Sequence, residues 1–277
     1  MRTRIALIAL LGPSLAAASP ALVTTTRGEV QLEQNGEAST APAVPFVFDA
    51  PDRLTLADDA LVVVLFEGAA TQLHGPRTVG LDDLKTRQAA PSEHSGTLDS
   101  LLTARITTSR AGASRDGATT AHLTRPVPGS RLTALQSVAW RCDACAAESV
   151  SLYDLQRDVD VWAGSGDGSV IYDGPALQPG AYLLALDGRE HAITVVSERD
   201  RTELTQLVDA ATAASDQLVG VGADVAARTS VLAAVYLQAG YPTEALYALD
   251  HALAEHPEDA ELQALRERYE LRAGLAP

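Results

Sequence analysis

Residues 53–76 read RLTLADDALVVVLFEGAATQLHGP, and this stretch decides the fold class of the first part of the chain. Leu54 and Leu56 alternate with polar residues, and an acidic pair typical of a turn follows them. The run 60–66 is continuously apolar and rich in β-branched residues, as expected of a strand covered on both faces. The stretch therefore predicts three strands joined by turns.

Shorter strand patterns lie upstream of this stretch. Apolar and polar residues alternate in GEVQLEQNGE (28–37), where Asn35-Gly36 predicts a hairpin turn. The run PFVF (45–48) has the length of another short strand. We therefore predict a small β-sandwich or barrel over residues 19–84.

The next segment, residues 85–131, is rich in Ser, Thr, Ala, Gly and Arg. One stretch within it, TLDSLLTARI (97–106), has apolar residues on one face of a short helix. The rest has no periodicity, which is typical of a linker. We predict a linker that contains one short helix.

Strand patterns return over residues 132–197. They recur about every ten residues with turn signals between them, which is typical of an all-β sandwich. Glycines at 164, 166 and 168 could belong to a phosphate-binding loop, but such a loop requires a following helix. The strand-like run VIYDG follows instead, so these glycines predict a hairpin turn.

From residue 198 onward the apolar residues recur with a helical period. Four helices are expected over 198–277, and the fold class is multi-domain β + α with C-terminal helical hairpins. The expected start and stop signals are a cap at Asp224, a stop at Gly240 and starts at Pro242 and Pro257.

The charge of the chain is strongly negative. It contains 36 acidic and 21 basic residues, a formal net charge of −15, and Lys85 is its single lysine. Such a chain lacks the extended basic surface that binds nucleic acids or anionic lipids. Aromatic residues make up 4% of the chain, so broad platforms for stacking bases or sugars are not expected.

The N-terminal residues 1–18 have the pattern of a cleavable secretory signal. Basic residues precede an apolar run, IALIALL (5–11), and Ala16-x-Ala18 offers a small-residue cleavage site before Ser19. The apolar run is shorter than the roughly 20 residues that a membrane-spanning helix needs. The sequence therefore predicts export to the periplasm without membrane insertion of the mature chain.

The two cysteines, Cys142 and Cys145, lie in the motif RCDAC. Three interpretations are open: a local disulfide, a redox pair and part of a zinc site. A redox pair is expected at a helix start in a βαβ unit, and a zinc site needs a second ligand pair. The strand-rich context and predicted export favour the disulfide.

No motif indicates catalysis. HExxH, GxSxG, phosphate-loop and dinucleotide patterns do not occur in the sequence. The carboxylates Asp49, Asp52, Asp58 and Asp59 could bind calcium, but Asp is also favoured in turns. We predict no catalytic, cofactor-binding or metal-binding residues. The six histidines are scattered: His74, His94, His122, His191, His251 and His256.

The second and third predicted helices carry large and small residues at characteristic intervals: Leu232, Ala233, Tyr236, Ala245, Leu249, Ala252 and Pro257. The small residues Ala233, Ala245 and Ala252 let paired helices approach closely. This pattern resembles one tetratricopeptide repeat, which spans about 34 residues.

The tetratricopeptide resemblance implies binding of a protein partner in a small groove. This groove is lined by the first helix of the pair. The residues implied as its lining are Ala227, Ser230, Ala234, Leu237 and Gln238.

The first region is similar to the β domain of FecR-type envelope proteins. This resemblance lies in the opening GEVQL, the late strand LVVVLFEG and the segment TQLHGP. The middle region is similar to the immunoglobulin- or fibronectin-like modules of envelope proteins, which implies that Trp140 and Trp162 are core residues.

Together these features predict a non-enzymatic periplasmic scaffold or adaptor that binds a protein through its helical repeat. An envelope module that binds glycan or polymer, or signals, through the FecR-like domain is the alternative. An enzyme without a familiar motif is the third possibility.

Overall fold

The computed structural model describes residues 20–67, 69–87, 121–142, 148–219 and 223–275. Within these ranges the chain forms four β-sheets followed by a group of helices. The predicted combination of β structure with C-terminal helices is therefore confirmed. The signal segment 1–18 and the helix predicted at 97–106 lie outside the described residues.

The first β unit consists of two four-stranded antiparallel sheets, with strand orders β4-β1-β6-β7 and β3-β2-β5-β8. A short helix, α1 (Leu81–Arg87), follows its last strand. The strands are β1 (Ala21–Arg27), β2 (Val30–Gln34), β3 (Glu37–Thr40), β4 (Phe46–Phe48), β5 (Arg53–Leu56), β6 (Leu61–Phe66), β7 (Ala69–His74) and β8 (Arg77–Gly80).

Strand β6 is covered on both faces, as its uninterrupted apolar sequence predicts. Val62 and Val64 point into the core between the two sheets of the first unit. Val63 and Leu65 point the other way and pack against the C-terminal helices. The apolar run therefore reflects a position between two cores.

The predicted hairpin turn at Asn35-Gly36 is confirmed. It joins β2 to β3, which pair antiparallel. Asn35 and Gly36 have φ values of 54° and 83°, as a tight two-residue hairpin turn requires.

The second β unit packs a five-stranded sheet, β10-β16-β15-β12-β13, against a three-stranded sheet, β14-β11-β9. Its pairings are antiparallel except for the parallel pair β10 and β16. The strands are β9 (His122–Arg125), β10 (Arg131–Leu132), β11 (Ser137–Arg141), β12 (Glu148–Asp154), β13 (Val159–Gly166), β14 (Ser169–Ile171), β15 (Gly180–Leu186) and β16 (Arg189–Val195).

The tryptophans of this unit are core residues, as expected. Trp140 and Trp162 are both buried in the cluster between the two sheets. The indole N–H of Trp162 donates to Asp173 Oδ1 over 2.7 Å, which satisfies its buried donor.

The glycine-rich segment at the end of β13 differs from the expected hairpin. A strand does follow it, but β13 pairs with β12 whereas β14 pairs with β11 in the other sheet. A Cβ atom at Gly166 would lie 2.1 Å from the carbonyl oxygen of Ser169. Glycine is required there because the chain turns tightly as it crosses between sheets.

The second unit begins at β9 (His122–Arg125), inside the segment 85–131 that the sequence assigns to a linker. The sequence HLTR has no apolar pattern that would mark a strand. Arg125 is nevertheless buried, because its charge is paired with acidic side chains of the helical region.

Four helices form the C-terminal region: α2 (Glu198–Val219), α3 (Val225–Gln238), α4 (Pro242–Glu255) and α5 (Ala260–Arg272). Asp224 caps α3 as predicted, accepting a hydrogen bond from the Ala227 N–H over 2.8 Å. Pro242 occupies the first turn of α4, and Asp259 caps α5. Among the described helices, none is both long and apolar enough to cross a membrane.

Candidate functional site

The helical region contacts both β units, and α3 lies at its centre. One side of α3 and part of α2 form a continuous apolar core with strands β1, β6 and β7. The other side of α3 packs on α4 and α5. Since the predicted partner-binding residues lie on α3, these contacts decide which of them a partner can reach.

Three of the five predicted partner-binding residues are covered by the first β unit. Ala227 and Ala234 belong to the same buried cluster as Leu22 and Val63. Ser230 is fully buried, with 0% of its surface exposed. In this structure the chain's own sheet occupies the face that the sequence assigns to a separate partner.

The difference arises because the first β unit has an apolar sheet surface that is stabilised by burial away from water. Leu22, Val63 and Leu65 lie on the helix-facing side of the first unit. Leaving such side chains in water costs about 1.5–3 kcal/mol each, and the small residues of α3 allow close packing against them. The features that suggest a groove for a partner therefore serve an intramolecular contact.

The last two predicted residues, Leu237 and Gln238, are half-buried at the C-terminal end of α3. Leu237 packs against the cluster that α4 and α5 form with Val127 of the second β unit. Of the predicted set, these two are the ones that retain exposed surface.

Polar contacts join α4 to the second β unit. The Thr243 hydroxyl lies 2.8 Å from Ser130 Oγ and accepts from the Val127 N–H over 2.9 Å. The Tyr247 hydroxyl donates to the Ser137 carbonyl oxygen over 2.8 Å. These hydrogen bonds fix the position of α4 relative to the second β unit, because a buried polar group is destabilising when it has no hydrogen-bond partner.

A charged cluster extends the same contact. Arg125 Nε lies 2.6 Å from Asp250 Oδ2, and Arg266 Nε lies 2.8 Å from Asp250 Oδ1. Glu270, which is buried, pairs with Arg141 and with Arg266. Burial lowers the pKa of Arg125, while the two carboxylates oppose that shift. Three cations and two anions thus link strands β9 and β11 to α4 and α5.

Glu244, in the first turn of α4, is a second buried carboxylate at this contact. Its Oε1 accepts from the Thr133 N–H over 2.5 Å and from the Thr133 hydroxyl over 3.2 Å. Burial raises the pKa of Glu244 to about 7, although the hydrogen bonds from Thr133 oppose the shift.

A cavity of about 260 Å³ lies beside Thr133, between α2, α3 and the segment after β10. We call it the α2–α3 notch. Leu204, Val208 and Tyr236 supply apolar lining, and Arg201 supplies a guanidinium group. Arg201 donates to the Thr133 carbonyl oxygen and to Glu198, but its buried Nε has no hydrogen-bond partner.

A smaller cavity of about 170 Å³ lies between β1, α3 and α5. Arg27 and Arg268 line it together with small side chains. Arg27 is already paired with Asp224 and Glu261, so its charge is used to join β1 to the helices. The notch is the better candidate for binding.

No protein-family model, curated protein or solved structure matches this chain. The FecR-like, immunoglobulin-like and tetratricopeptide resemblances therefore stay predictions.

The other residues singled out by the sequence lie apart from the notch. The described residues contain no group of three or more His, Cys, Asp or Glu side chains that could hold a metal ion. Asp49 and Asp52 are joined by hydrogen bonds across a turn, as Asp residues in turns commonly are.

Cys142 follows β11 and packs against the core of the second β unit, whereas Cys145 lies outside the described residues. The disulfide stays a prediction.

Sequence reasoning missed the buried charges, Arg125, Glu244 and Glu270. Each has a partner more than 100 residues away along the chain: Arg125 and Asp250 are 125 apart, Thr133 and Glu244 are 111 apart, and Arg141 and Glu270 are 129 apart. Glu270 also pairs with Arg266, four positions before it. No local pattern distinguishes these residues from charges on a solvated helix face. Their burial follows from docking of the helices on the second β unit.

Proposed function

We propose that this protein is an exported, non-enzymatic scaffold of the cell envelope that binds a protein partner through its helical region. The observation that carries the proposal is the position of α3 and α4 between two β units. The helices bury an apolar face on the first unit and a polar face on the second. Such an arrangement supports a rigid body that presents fixed surfaces.

The partner binds at the α2–α3 notch in this proposal. The notch lies at the C-terminal end of α3, where Tyr236 immediately precedes Leu237 and Gln238. Its apolar residues suit one aliphatic or aromatic side chain of a partner. The unpartnered Nε–H of Arg201 suits a carbonyl or carboxylate oxygen nearby. Export is part of the proposal and rests on the signal pattern of residues 1–18.

The test uses point variants in the full chain, because removing the helices would expose Leu22, Val63 and Leu65 of the first unit. Thr205 is an exposed residue of α2 that lines the notch. Thr205→Arg places a long charged side chain at the opening without changing a buried position. We expect proteins that co-purify with the wild-type chain from envelope extracts to be lost with this variant.

Thr202→Arg is the matched control. Thr202 is also exposed on α2, and both threonine hydroxyls donate to the carbonyl oxygen four residues earlier, over 2.9 Å. Thr202 does not line the notch. Retention of every partner by Thr205→Arg, or equal losses with both variants, would contradict binding at the notch.

A further inference from the structure

Glu244 is almost completely buried between the helical region and the second β unit, with 7% of its surface exposed. One carboxylate oxygen, Oε1, accepts both hydrogen bonds from Thr133. The other oxygen, Oε2, is buried and has no hydrogen-bond partner. The ionised form therefore places a charge in a buried site where only one of the two carboxylate oxygens accepts hydrogen bonds from Thr133.

The arginines on the elements packed around Glu244 form their ion pairs with other acidic side chains. Arg131, from β10, pairs with Asp200 over 3.2 Å and lies over the ring of Tyr241. Arg201, from α2, donates to Glu198 and to the Thr133 carbonyl oxygen. On α5, Arg266 pairs with Asp250 and Glu270.

The remaining titratable groups around Glu244 do not neutralise it either. They are tyrosine hydroxyls and one further carboxylate, which are neutral or negative near pH 7. Within the described residues, Glu244 has no ion pair. The groups are Tyr236 from α3, Tyr241 from the turn before α4, Tyr247 from α4 and Glu203 from α2.

We propose that the contact between α4 and the second β unit is a proton-sensitive joint, which is tight when Glu244 carries a proton and loosens when that proton passes to solvent. The protonated carboxyl keeps Oε1 as the acceptor for Thr133 and removes the buried charge. This property goes beyond the scaffold function and does not depend on it.

The direction of the pH effect follows from the two states of Glu244. Its pKa in the folded chain is about 7, above the value of 4.5 expected when the chain is unfolded. The stabilising effect of protonation is therefore complete below about pH 4.5 and is lost as the pH rises through about 7. Between pH 5 and pH 8 the folding equilibrium constant should fall on the order of 50-fold through this group.

The experiment compares the mature full-length chain with Glu244→Gln by urea unfolding from pH 5 to pH 8. Glutamine keeps an oxygen for Thr133 but cannot ionise. We expect the variant to lose the fall in stability that Glu244 causes in the wild-type chain, so that it is the more stable protein at pH 8. His191, whose pKa burial lowers, titrates in both chains and does not affect the comparison.

Glu258→Gln is the control, because Glu258 is an exposed carboxylate in the loop before α5 and its replacement changes the net charge equally. Its stability should follow the wild-type pH profile. Parallel profiles for the wild-type chain and Glu244→Gln would overturn the proposal.

A second measurement keeps the test valid if Glu244→Gln folds poorly. The Thr133 N–H donates to Glu244, so its hydrogen-exchange protection factor in the wild-type chain reports directly on the joint. We expect this protection factor, corrected for the intrinsic exchange rate at each pH, to fall at least tenfold from pH 5 to pH 8. The amide of Val64 in β6 is the internal reference, since it lies in the first β unit. Equal changes at the two amides would contradict a local joint.

Discussion

Ser230 Oγ on α3 lies 2.6 Å from Thr25 Oγ1 on β1, although 205 residues separate them in the chain. Ser230 Oγ also lies 3.1 Å from Thr24 Oγ1 and 2.7 Å from the carbonyl oxygen of Ala227. These hydrogen bonds lie within the apolar contact between the first β unit and the helices, where Ala227 and Ala234 of α3 are buried on either side of Ser230. They fix the register in which α3 docks on the sheet.

The first prediction concerns the closeness of this docking. Ala234 is fully buried where α3 meets the first sheet. Ala234→Leu adds three carbon atoms to a packed interface and should lower the free energy of unfolding by about 1–3 kcal/mol. Urea unfolding measures the change.

Ala254→Leu is the control for that prediction, because Ala254 is an exposed residue of α4. Its free energy of unfolding should stay within about 0.5 kcal/mol of the wild-type value. An Ala234→Leu protein as stable as this control would mean that α3 does not dock on the sheet in solution.

The second prediction concerns the hydroxyl cluster itself. Ser230→Ala leaves the Thr25 hydroxyl without its 2.6 Å partner in a buried site. The free energy of unfolding should fall by about 1–3 kcal/mol. Adding Thr25→Val to Ser230→Ala removes the orphaned donor, so the double variant should lose less than the two single variants combined.

Chemical denaturation of the full thermodynamic cycle gives the coupling energy between Ser230 and Thr25. Ser165→Ala, at an exposed position of β13, controls for loss of a serine hydroxyl as such. Strict additivity of the two single changes would show that the hydroxyls do not interact.

The third prediction concerns the charged cluster on the other side of the helical region. The Arg125 side chain is 6% exposed and pairs with Asp250. Arg125→Met keeps most of the side-chain volume but removes one of the three cations that face Asp250 and Glu270, while Arg266 stays paired with Asp250. The free energy of unfolding should fall by about 1–3 kcal/mol, because the change removes charge-assisted hydrogen bonds from a partly buried cluster whose carboxylates keep other cations.

Arg199→Met is the matched change at the surface. Arg199 pairs with Glu203 over 3.0 Å on one face of α2, and its side chain is 86% exposed. Because solvent screens this pair, the variant should unfold at the same denaturant concentration as the wild-type chain. Similar behaviour of the two methionine variants would argue against a buried cluster at Arg125.

The fourth prediction concerns Cys142 and Cys145, which we expect to form a disulfide in the exported chain. The loop between them is short, so replacing both with serine should lower stability by no more than roughly 2 kcal/mol. Mass spectrometry after alkylation without reductant measures the pairing. Two alkylated thiols in the mature protein would contradict it.

Local sequence patterns determined much of the secondary structure. The hairpin at Asn35-Gly36, the double burial of β6 and the start of α4 at Pro242 all follow from residues a few positions apart. Backbone preference and apolar period are short-range properties, so the sequence by itself could predict them.

Only the tertiary structure decided which surface each element covers. The small residues of α3 could line a groove for a partner or pack against a β-sheet of the same chain. They pack against the sheet, because β6 presents apolar side chains on that side. Likewise the sequence of β9 has no alternating apolar pattern that predicts a strand. Arg125 of this strand is nevertheless buried, because it pairs with Asp250 on α4. Such contacts join residues more than 100 positions apart, and their free energy depends on geometry that no local period encodes.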